Sequence, residues 1–330
     1  MKNEKNALII LPDFYEYPTY IKKSFEKYGY NVDILFEQPS RMAYLITRRI
    51  GQYIGLEKAF GFFNNRLLKK IRSNNKTYDY FLVIRGNIIS EKTIAEIHSK
   101  YLSEKAFSVY YSWDSFRSMV HKGSIGDSFM KRYTFDSEDV KWNSNYELLP
   151  LFYTNAFAFC ESEKNFKYDI CCLGGFTLER YYLVEKIIKD NPKLSFCIKL
   201  YLPKKLYRTK FLTDSRFRNL DFSMITFNTL SQDEVVCFYK QCKVVLDIPS
   251  SAQSGLSMRT IESIGMRKKI VTTNPHVMEY PFYSKENVSV IRSGESLKID
   301  ESWVNIPATY DENQRRRLSI DEWVGKLLNV

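Results

Sequence analysis

Histidine is scarce in this chain: three residues, His98, His121 and His276, in 330. They do not cluster, and the six cysteines, at 160, 171, 172, 197, 237 and 242, show no C-x-x-C spacing. A protein-bound zinc site is therefore not expected. Several cysteines lie in apolar runs, DICCLG and LSFCIKL, a setting that suits reduced, buried thiols. No apolar run approaches the roughly 20 residues of a membrane-spanning helix. The N-terminus MKNEKNALIILPDF reads as a first strand rather than a signal peptide, so the chain is expected in the cytoplasm. Zinc-finger and RNP-type signatures are missing, and nucleic acid is not an expected partner. There is no internal repeat and no low-complexity segment.

What is present is an ordinary globular composition, 44% hydrophobic and 26% charged, in a chain long enough for two domains. The net charge of +11 points to an anionic partner, such as an acidic membrane face or a phosphorylated small molecule.

Strand and helix signals alternate from the start. Strands are predicted at 6–12, 31–36, 78–86 and 106–114, and helices at 19–30, over 41–72, and at 90–102 with Ser90 as cap. RYTFDSEDVKW (132–142) combines a short strand with a helix start. The pattern breaks over 148–167 and then restarts, with strands at 168–174, 195–202 and 223–228 and a helix after Gly175. A further helix is predicted at 230–242, with Ser231 and Glu234 as a capping box. A strand at 288–293 and a C-terminal helix at 319–329 complete the pattern. Such alternation implies α/β architecture with mostly parallel sheets. The expected fold is two Rossmann-like doubly wound domains, 1–155 and 156–330, with the last helix able to pack back on the first.

The richest segment is Val244–Asn274, VVLDIPSSAQSGLSMRTIESIGMRKKIVTTN. VVLDI is a strand, PSSAQSG an irregular loop, and LSMRTIESIG a helix with Leu256, Ile261 and Ile264 at helical spacing. KKIVTT begins the next strand. The loop at the carboxyl end of the first strand leads into a helix amino terminus, which in parallel sheets is where ligands bind and phosphate is favoured. It holds neither G-x-x-x-x-G-K-[ST] nor G-x-G-x-x-G, so an ATPase or ordinary dinucleotide site is not indicated. Ser254, Gly255 and Leu256 can present backbone N–H groups and Ser257 a hydroxyl; the alternative is a plain turn and N-cap.

Two Rossmann-like domains with such a loop in the second resemble the two-domain (GT-B) sugar-nucleotide glycosyltransferases. GLSMRTIESIGMRKKIVTTN looks like their donor segment. In order, VIRGNIIS, YYSWDS, RYTFDSEDV, LPLFY and the 246–274 block are similar to bacterial glycosyltransferases of lipopolysaccharide and capsule gene clusters, including the CgeB-like group. The resemblance implies two domains facing a central cleft and a nucleotide-diphosphate sugar on the second. A saccharide or lipid-linked acceptor would enter from the first, with no cofactor.

It also implies that Glu262 accepts hydrogen bonds from the ribose hydroxyls, a task suited to an acceptor-only carboxylate. Arg259 would contact the diphosphate or else pair with Glu262. Gly174 and Gly175, in LGGFTLER, would let a backbone approach the donor. Arg180 would neutralise the leaving diphosphate or sit on a helix surface. Retaining members often carry Glu, and some inverting members His, eight positions before the ribose Glu. Here that residue is Ser254, so the stereochemical course stays open. No D-x-D occurs, so positive groups and a helix dipole, not a metal, would stabilise the departing nucleotide. A sugar-nucleotide 2-epimerase on the same fold is one alternative, although only His276 lies near the donor segment. A non-catalytic nucleotide- or polysaccharide-binding partner is another.

An inverting transferase needs a base for the acceptor hydroxyl. Asp13, after the first strand, and Asp114, after the fourth, are the candidates, unless each caps the next helix. Arg85 and Gly86, closing LVIRG, are positioned to contact sugar or phosphate. The segment 41–72 carries eight basic residues, one acidic residue and the rings of Tyr44, Tyr53, Phe60, Phe62 and Phe63. It would lie on an anionic bilayer surface, making the protein peripheral, or pack its apolar stripe on the core.

Overall fold

A computed structural model describes residues 5–37, 41–119, 121, 123–158, 165–250, 253–292 and 296–330, without the side chains of 41–43, 45, 48, 52, 56 and 57. Cys160, and the side chains of Arg41 and Arg48 in the basic segment, lie outside that description. Two compact units emerge. One comprises Met1–Pro150, Ala252–Gly255 and Trp323–Val330; the other comprises Leu151–Ser251 and Leu256–Glu322.

The first unit contains β1 (Lys5–Leu11), α1 (Tyr17–Lys27), β2 (Tyr30–Phe36), α2 (Arg41–Ile54), α3 (Leu56–Ser73), β3 (Tyr78–Ile84), α4 (Glu91–Tyr101), β4 (Leu102–Ser112), β5 (Lys131–Thr134), α5 (Ser137–Trp142) and β6 (Glu147–Leu148). Its sheet is parallel, in the order β2-β1-β3-β4-β5-β6. β1 and β3 are covered on both faces, which is why they are apolar runs without alternation: Ala7–Ile10 and Phe81–Ile84 are completely buried. Ser90 caps α4, accepting from the Thr93 N–H at 3.2 Å. The long helical region expected over 41–72 consists of two helices. Gly55, at φ 89°, sits in a left-handed conformation that a helix interior does not admit, and the chain restarts there.

The second unit contains β7 (Tyr168–Gly175), α6 (Leu178–Asp190), β8 (Phe196–Tyr201), α7 (Lys204–Thr213), β9 (Ile225–Thr226), α8 (Gln232–Lys240), β10 (Cys242–Asp247), α9 (Met258–Gly265), β11 (Lys269–Thr272), β12 (Val288–Val290), α10 (Glu301–Asn305), α11 (Glu312–Arg316) and the start of α12 (Ile320–Leu328). Its sheet is also parallel, ordered β12-β11-β10-β7-β8-β9. The capping box of α8 is present in both directions: Glu234 N–H donates to Ser231 Oγ, and Ser231 N–H to the Glu234 carboxylate at 2.8 Å. The strand expected at 223–228 shrinks to the two residues of β9, at the sheet edge. The sequence reading did not include α7, an exposed helix that touches the core through Tyr207, with Phe211 packed on that ring.

From Trp323 onward α12 belongs to the first unit. There the Trp323 ring meets Tyr111 edge-on at 4.9 Å, and Tyr80 Oη donates to the Leu327 carbonyl at 2.8 Å. The described cysteines are free thiols, with 171, 172 and 242 buried. Among the described residues no helix is long and apolar enough to cross a membrane. Both units are thus doubly wound α/β domains of Rossmann type.

Candidate functional site

Open parallel sheets bind ligands at the carboxyl ends of the strands, where the strand order reverses. In the second unit that point lies between β7 and β10, flanked by Gly175 and Asp247. Arg180, in the first turn of α6, spans it: Nε donates to the Ile248 carbonyl at 2.8 Å and Nη1 to the Gly175 carbonyl. Thr177 caps the helix, accepting from the Arg180 N–H at 3.1 Å. The Arg180 side chain lies over Gly174, where an added Cβ would stand 3.6 Å from Arg180 Cδ, an ordinary contact. Packing within the chain therefore does not by itself require glycine at 174.

Asp247 closes β10 with its carboxylate almost wholly buried. Oδ2 accepts from Ser257 Oγ at 2.8 Å and Thr260 Oγ1 at 2.7 Å, and Oδ1 from Arg259 Nε at 2.8 Å. Ser257 is also the N-cap of α9, accepting from the Thr260 N–H at 3.3 Å. One carboxylate thus ties a strand end to a helix start and aims Arg259 across the crevice. The sequence left open whether Arg259 pairs with Glu262; its ion-pair partner is Asp247.

Burial works against the charge on Arg259, but Asp247 outweighs it and holds the guanidinium above its ordinary pKa. At Arg180, burial and then the neighbouring Arg259 push the pKa down. Two guanidinium groups stand close enough to repel, opposed by the buried Asp247 and, at Arg180, also by Glu179. With the amino termini of α6 and α9 adding partial positive charge, the crevice is suited to a multivalent anion.

Glu262 lies farther along α9 and is only 5% exposed. It is near the buried Tyr239 hydroxyl, whose pKa is raised first by burial and then by Glu262. That hydroxyl has no hydrogen-bond partner. Leu256 points its side chain into the core.

Ser254 and Gly255 are placed in the first unit. Ser254 N–H donates to Asp136 Oδ2 at 3.2 Å, its hydroxyl donates to Oδ1, and the Ser115 hydroxyl donates to Oδ2. Burial tends to raise the Asp136 pKa, but Ser115, Ser254 and the Gly255 N–H hold it below the ordinary value. These loop donors do meet an anion, and it is a carboxylate of the chain itself. Glycine at 255 has a steric reason, since a Cβ there would come 2.5 Å from the Phe135 ring.

In the first unit the order reverses between β1 and β3, bringing the residues after their ends, Asp13 and Arg85, to the corresponding crevice. Arg85 and Gly86 are both left-handed, at φ 70° and 63°. The surroundings over-determine this strained pair: Tyr110 Oη donates to the Arg85 carbonyl at 2.8 Å, and His121 Nε2 lies 2.8 Å from the Gly86 carbonyl. The turn aims the Arg85 guanidinium at two carboxylates, Asp114 at 2.8 Å and Glu37 at 3.6 Å. Neither Asp13 nor Asp114 caps a helix; the N-caps that follow them are Glu16 and Ser115.

Glu37, just after β2, is, like Asp247, a functional-type residue that sequence reasoning missed. A charged residue closing the apolar run DILF was the available signal. Its side chain is fully buried, and burial, opposed by Arg85, raises its pKa from 4.5 to about 7. A carboxyl whose folded pKa lies above its unfolded one stabilises the fold fully below the unfolded value and loses that contribution as pH rises through the folded one. Between pH 4.5 and 7, wild type should therefore lose on the order of 3 kcal/mol relative to Glu37→Gln. Paired thermal unfolding across that window checks it; parallel curves would contradict it.

No protein-family profile matches the chain, and no curated protein matches it. Among solved structures, a glycosyltransferase from Rickettsia africae ESF-5 is similar at a TM-score of 0.58 and 9% identity, covering 99% of this chain and 97% of that one. The catalytic domain of starch synthase IV from Arabidopsis thaliana, bound to ADP and acarbose, is similar at 0.52 and 8% identity, covering 97% and 94%. At such identities the likeness is one of fold alone, that of GT-B proteins, which are built of two Rossmann-like domains.

Proposed function

We propose that this chain is a glycosyltransferase, hexosyl-transferring and metal-independent, that moves a sugar from a nucleotide-diphosphate donor to a saccharide or lipid-linked acceptor in lipopolysaccharide O-antigen or capsule assembly. The observation that carries the reading is the Arg180–Arg259 pair at the switch point of the second unit, two guanidinium groups close enough to repel. In the reaction the bond from the anomeric carbon to the diphosphate breaks and the acceptor oxygen bonds to that carbon. The hydroxyl proton goes to a carboxylate, for which Asp114 and Asp13 are the candidates. The two arginines stabilise the charge that develops on the leaving nucleotide. Glu262 is the candidate partner of the ribose.

The test is a thermal-shift screen against UDP, GDP and CMP, followed by product analysis with the matching sugar nucleotides in EDTA. Stabilisation by one nucleotide and transfer in EDTA are expected. Interconversion of the sugar nucleotide without acceptor would indicate the 2-epimerase instead, and binding without turnover the non-catalytic partner.

A peripheral position at the inner face of the plasma membrane is part of the proposal. On α2, Ile46, Ile50, Tyr53 and Ile54 are 55%, 47%, 82% and 51% exposed, at helical spacing on one side. Tyr44 and Phe60 pack with Ile88 in a small core cluster, so the α2–α3 pair has both a buried and an exposed apolar face. With Arg49, Lys58 and Arg66 nearby in sequence, the exposed face suits an anionic bilayer. Ile50→Ser combined with Tyr53→Ser should weaken sedimentation with phosphatidylglycerol vesicles by about tenfold, given the apolar area removed. Unchanged sedimentation would remove the membrane from the proposal.

A further inference from the structure

After β1 the chain runs through Asp13, Phe14, Tyr15 and Glu16, all exposed, before α1 begins. Two successive aromatic rings in water are unusual: Phe14 is 42% exposed and Tyr15 60%. Tyr15 also has φ 49°, a left-handed conformation that a bulky aromatic rarely adopts and that marks functional sites more often than chance. Phe14 meets Tyr15 edge-on at 4.7 Å and stacks on Tyr17 at 6.0 Å with ring planes 15° apart. It also reaches Trp113 at 6.4 Å.

Trp113 and Asp114 follow β4, and β3 lies between β1 and β4 in the sheet. The loops after β1 and β4 therefore join over the carboxyl end of β3, where Arg85 stands. The product is an uneven aromatic floor, in which Tyr15 and Trp113 stand edge-on to Phe14 at 78° and 67°, with Asp13, Asp114 and Arg85 following the same strand ends at the switch point of the unit.

The charge balance limits what this floor can receive. Arg85 is already ion-paired with Asp114 and Glu37. Counting Asp13 as well, this set of charges is net negative even when Glu37 is protonated. A phosphate or carboxylate would be repelled there, which favours sugar over phosphate as the contact of Arg85. An uncharged pyranose fits better. Its C–H face can cover aromatic rings, and its hydroxyls can donate to carboxylates and accept from a guanidinium.

We propose that the Phe14–Tyr15–Trp113 floor is a binding subsite for an uncharged pyranose ring, with Asp114 and Arg85 as partners of its hydroxyls. That this sugar is the acceptor rests on the transferase reading; that the floor binds it does not. Any anionic or lipid-bearing end of the acceptor then lies off the floor.

Saturation-transfer NMR on the full chain tests this with methyl β-glucopyranoside, methyl β-galactopyranoside and methyl α-mannopyranoside, alongside methyl β-glucuronide and glucose 6-phosphate. At least one neutral glycoside should bind, with transfer strongest to ring C–H protons, and the charged probes should bind at least tenfold more weakly. Phe14→Ala should weaken the neutral glycoside at least fivefold. Tyr15→Gly should do the same while unfolding no earlier than wild type, because glycine relieves the left-handed backbone. Failure of every neutral glycoside to bind wild type would overturn the proposal. So would equal binding of the charged probes, or Tyr15→Gly binding as well as wild type. UDP and GDP binding in the same samples reads the second unit independently, so the two readings can fail separately.

Discussion

Arg180→Ala should bind nucleoside diphosphate about 100-fold more weakly than wild type, the equivalent of roughly 2.7 kcal/mol. The size follows from where the guanidinium stands. Its Nε and Nη1 are spent on the carbonyls of Ile248 and Gly175, one from each side of the crevice. Those bonds fix the plane of the group and leave Nη2 and the delocalised charge for the ligand. A preorganised guanidinium loses little entropy on meeting a diphosphate, and half-burial strengthens the attraction. Arg180→Lys should recover only part of the affinity, since an ammonium cannot bridge two carbonyls and still present a planar edge. Isothermal titration with UDP and GDP checks this, and affinity within threefold of wild type would remove Arg180 from the site. The binding should also weaken as salt rises, as for any contact built on charge. The pKa of Arg180 is depressed by burial and by Arg259, a cost that a bound anion would relieve. Nucleotide binding should therefore raise the melting temperature of wild type more than that of Arg180→Ala.

How much of this was legible in the sequence depends on how far apart the interacting residues lie. Buried parallel strands such as β1 and β3 announce themselves, because both faces must be apolar. Caps are local, so Ser90 and the Ser231–Glu234 box could be read directly. Gly55 was not legible, since a glycine within a helical pattern looks the same whether tolerated or left-handed. The crevice residues divide in the same way. Arg180, Arg259 and Arg85 stood out by type and position. Asp247 and Glu37 carried the same mark as Arg85, a charge closing an apolar strand, but their burial against Arg259 and Arg85 shows only in the folded chain. The pairing of Ser254 with Asp136 spans 118 residues and leaves no local trace. Phe14 and Tyr15 look in sequence like ordinary core aromatics; only their exposure and the backbone at Tyr15 set them apart.

Asp247→Ala should destabilise the second unit by about 3–5 kcal/mol, the range found when one partner of a buried ion pair is removed. At roughly 2–4 °C per kcal/mol for a domain of this size class, the melting temperature falls by about 10 °C. The loss has three parts that act together. Arg259 keeps its charge without its counter-ion, the Ser257 and Thr260 hydroxyls lose their acceptor, and the start of α9 loses its tie to β10. Asp247→Asn separates them: the amide oxygen can still accept from a hydroxyl, but the charge is gone, so the loss should be smaller. The double variant Asp247→Ala with Arg259→Ala should be less destabilised than the two single losses added, since each single change strands a charge and the pair strands none. Strict additivity would mean that Asp247 acts only through the hydroxyls. Because the same carboxylate aims Arg259, Asp247→Asn should also weaken nucleotide binding well below the temperature at which it unfolds. A variant that loses stability but binds UDP and GDP as tightly as wild type would make Asp247 a structural tie and nothing more.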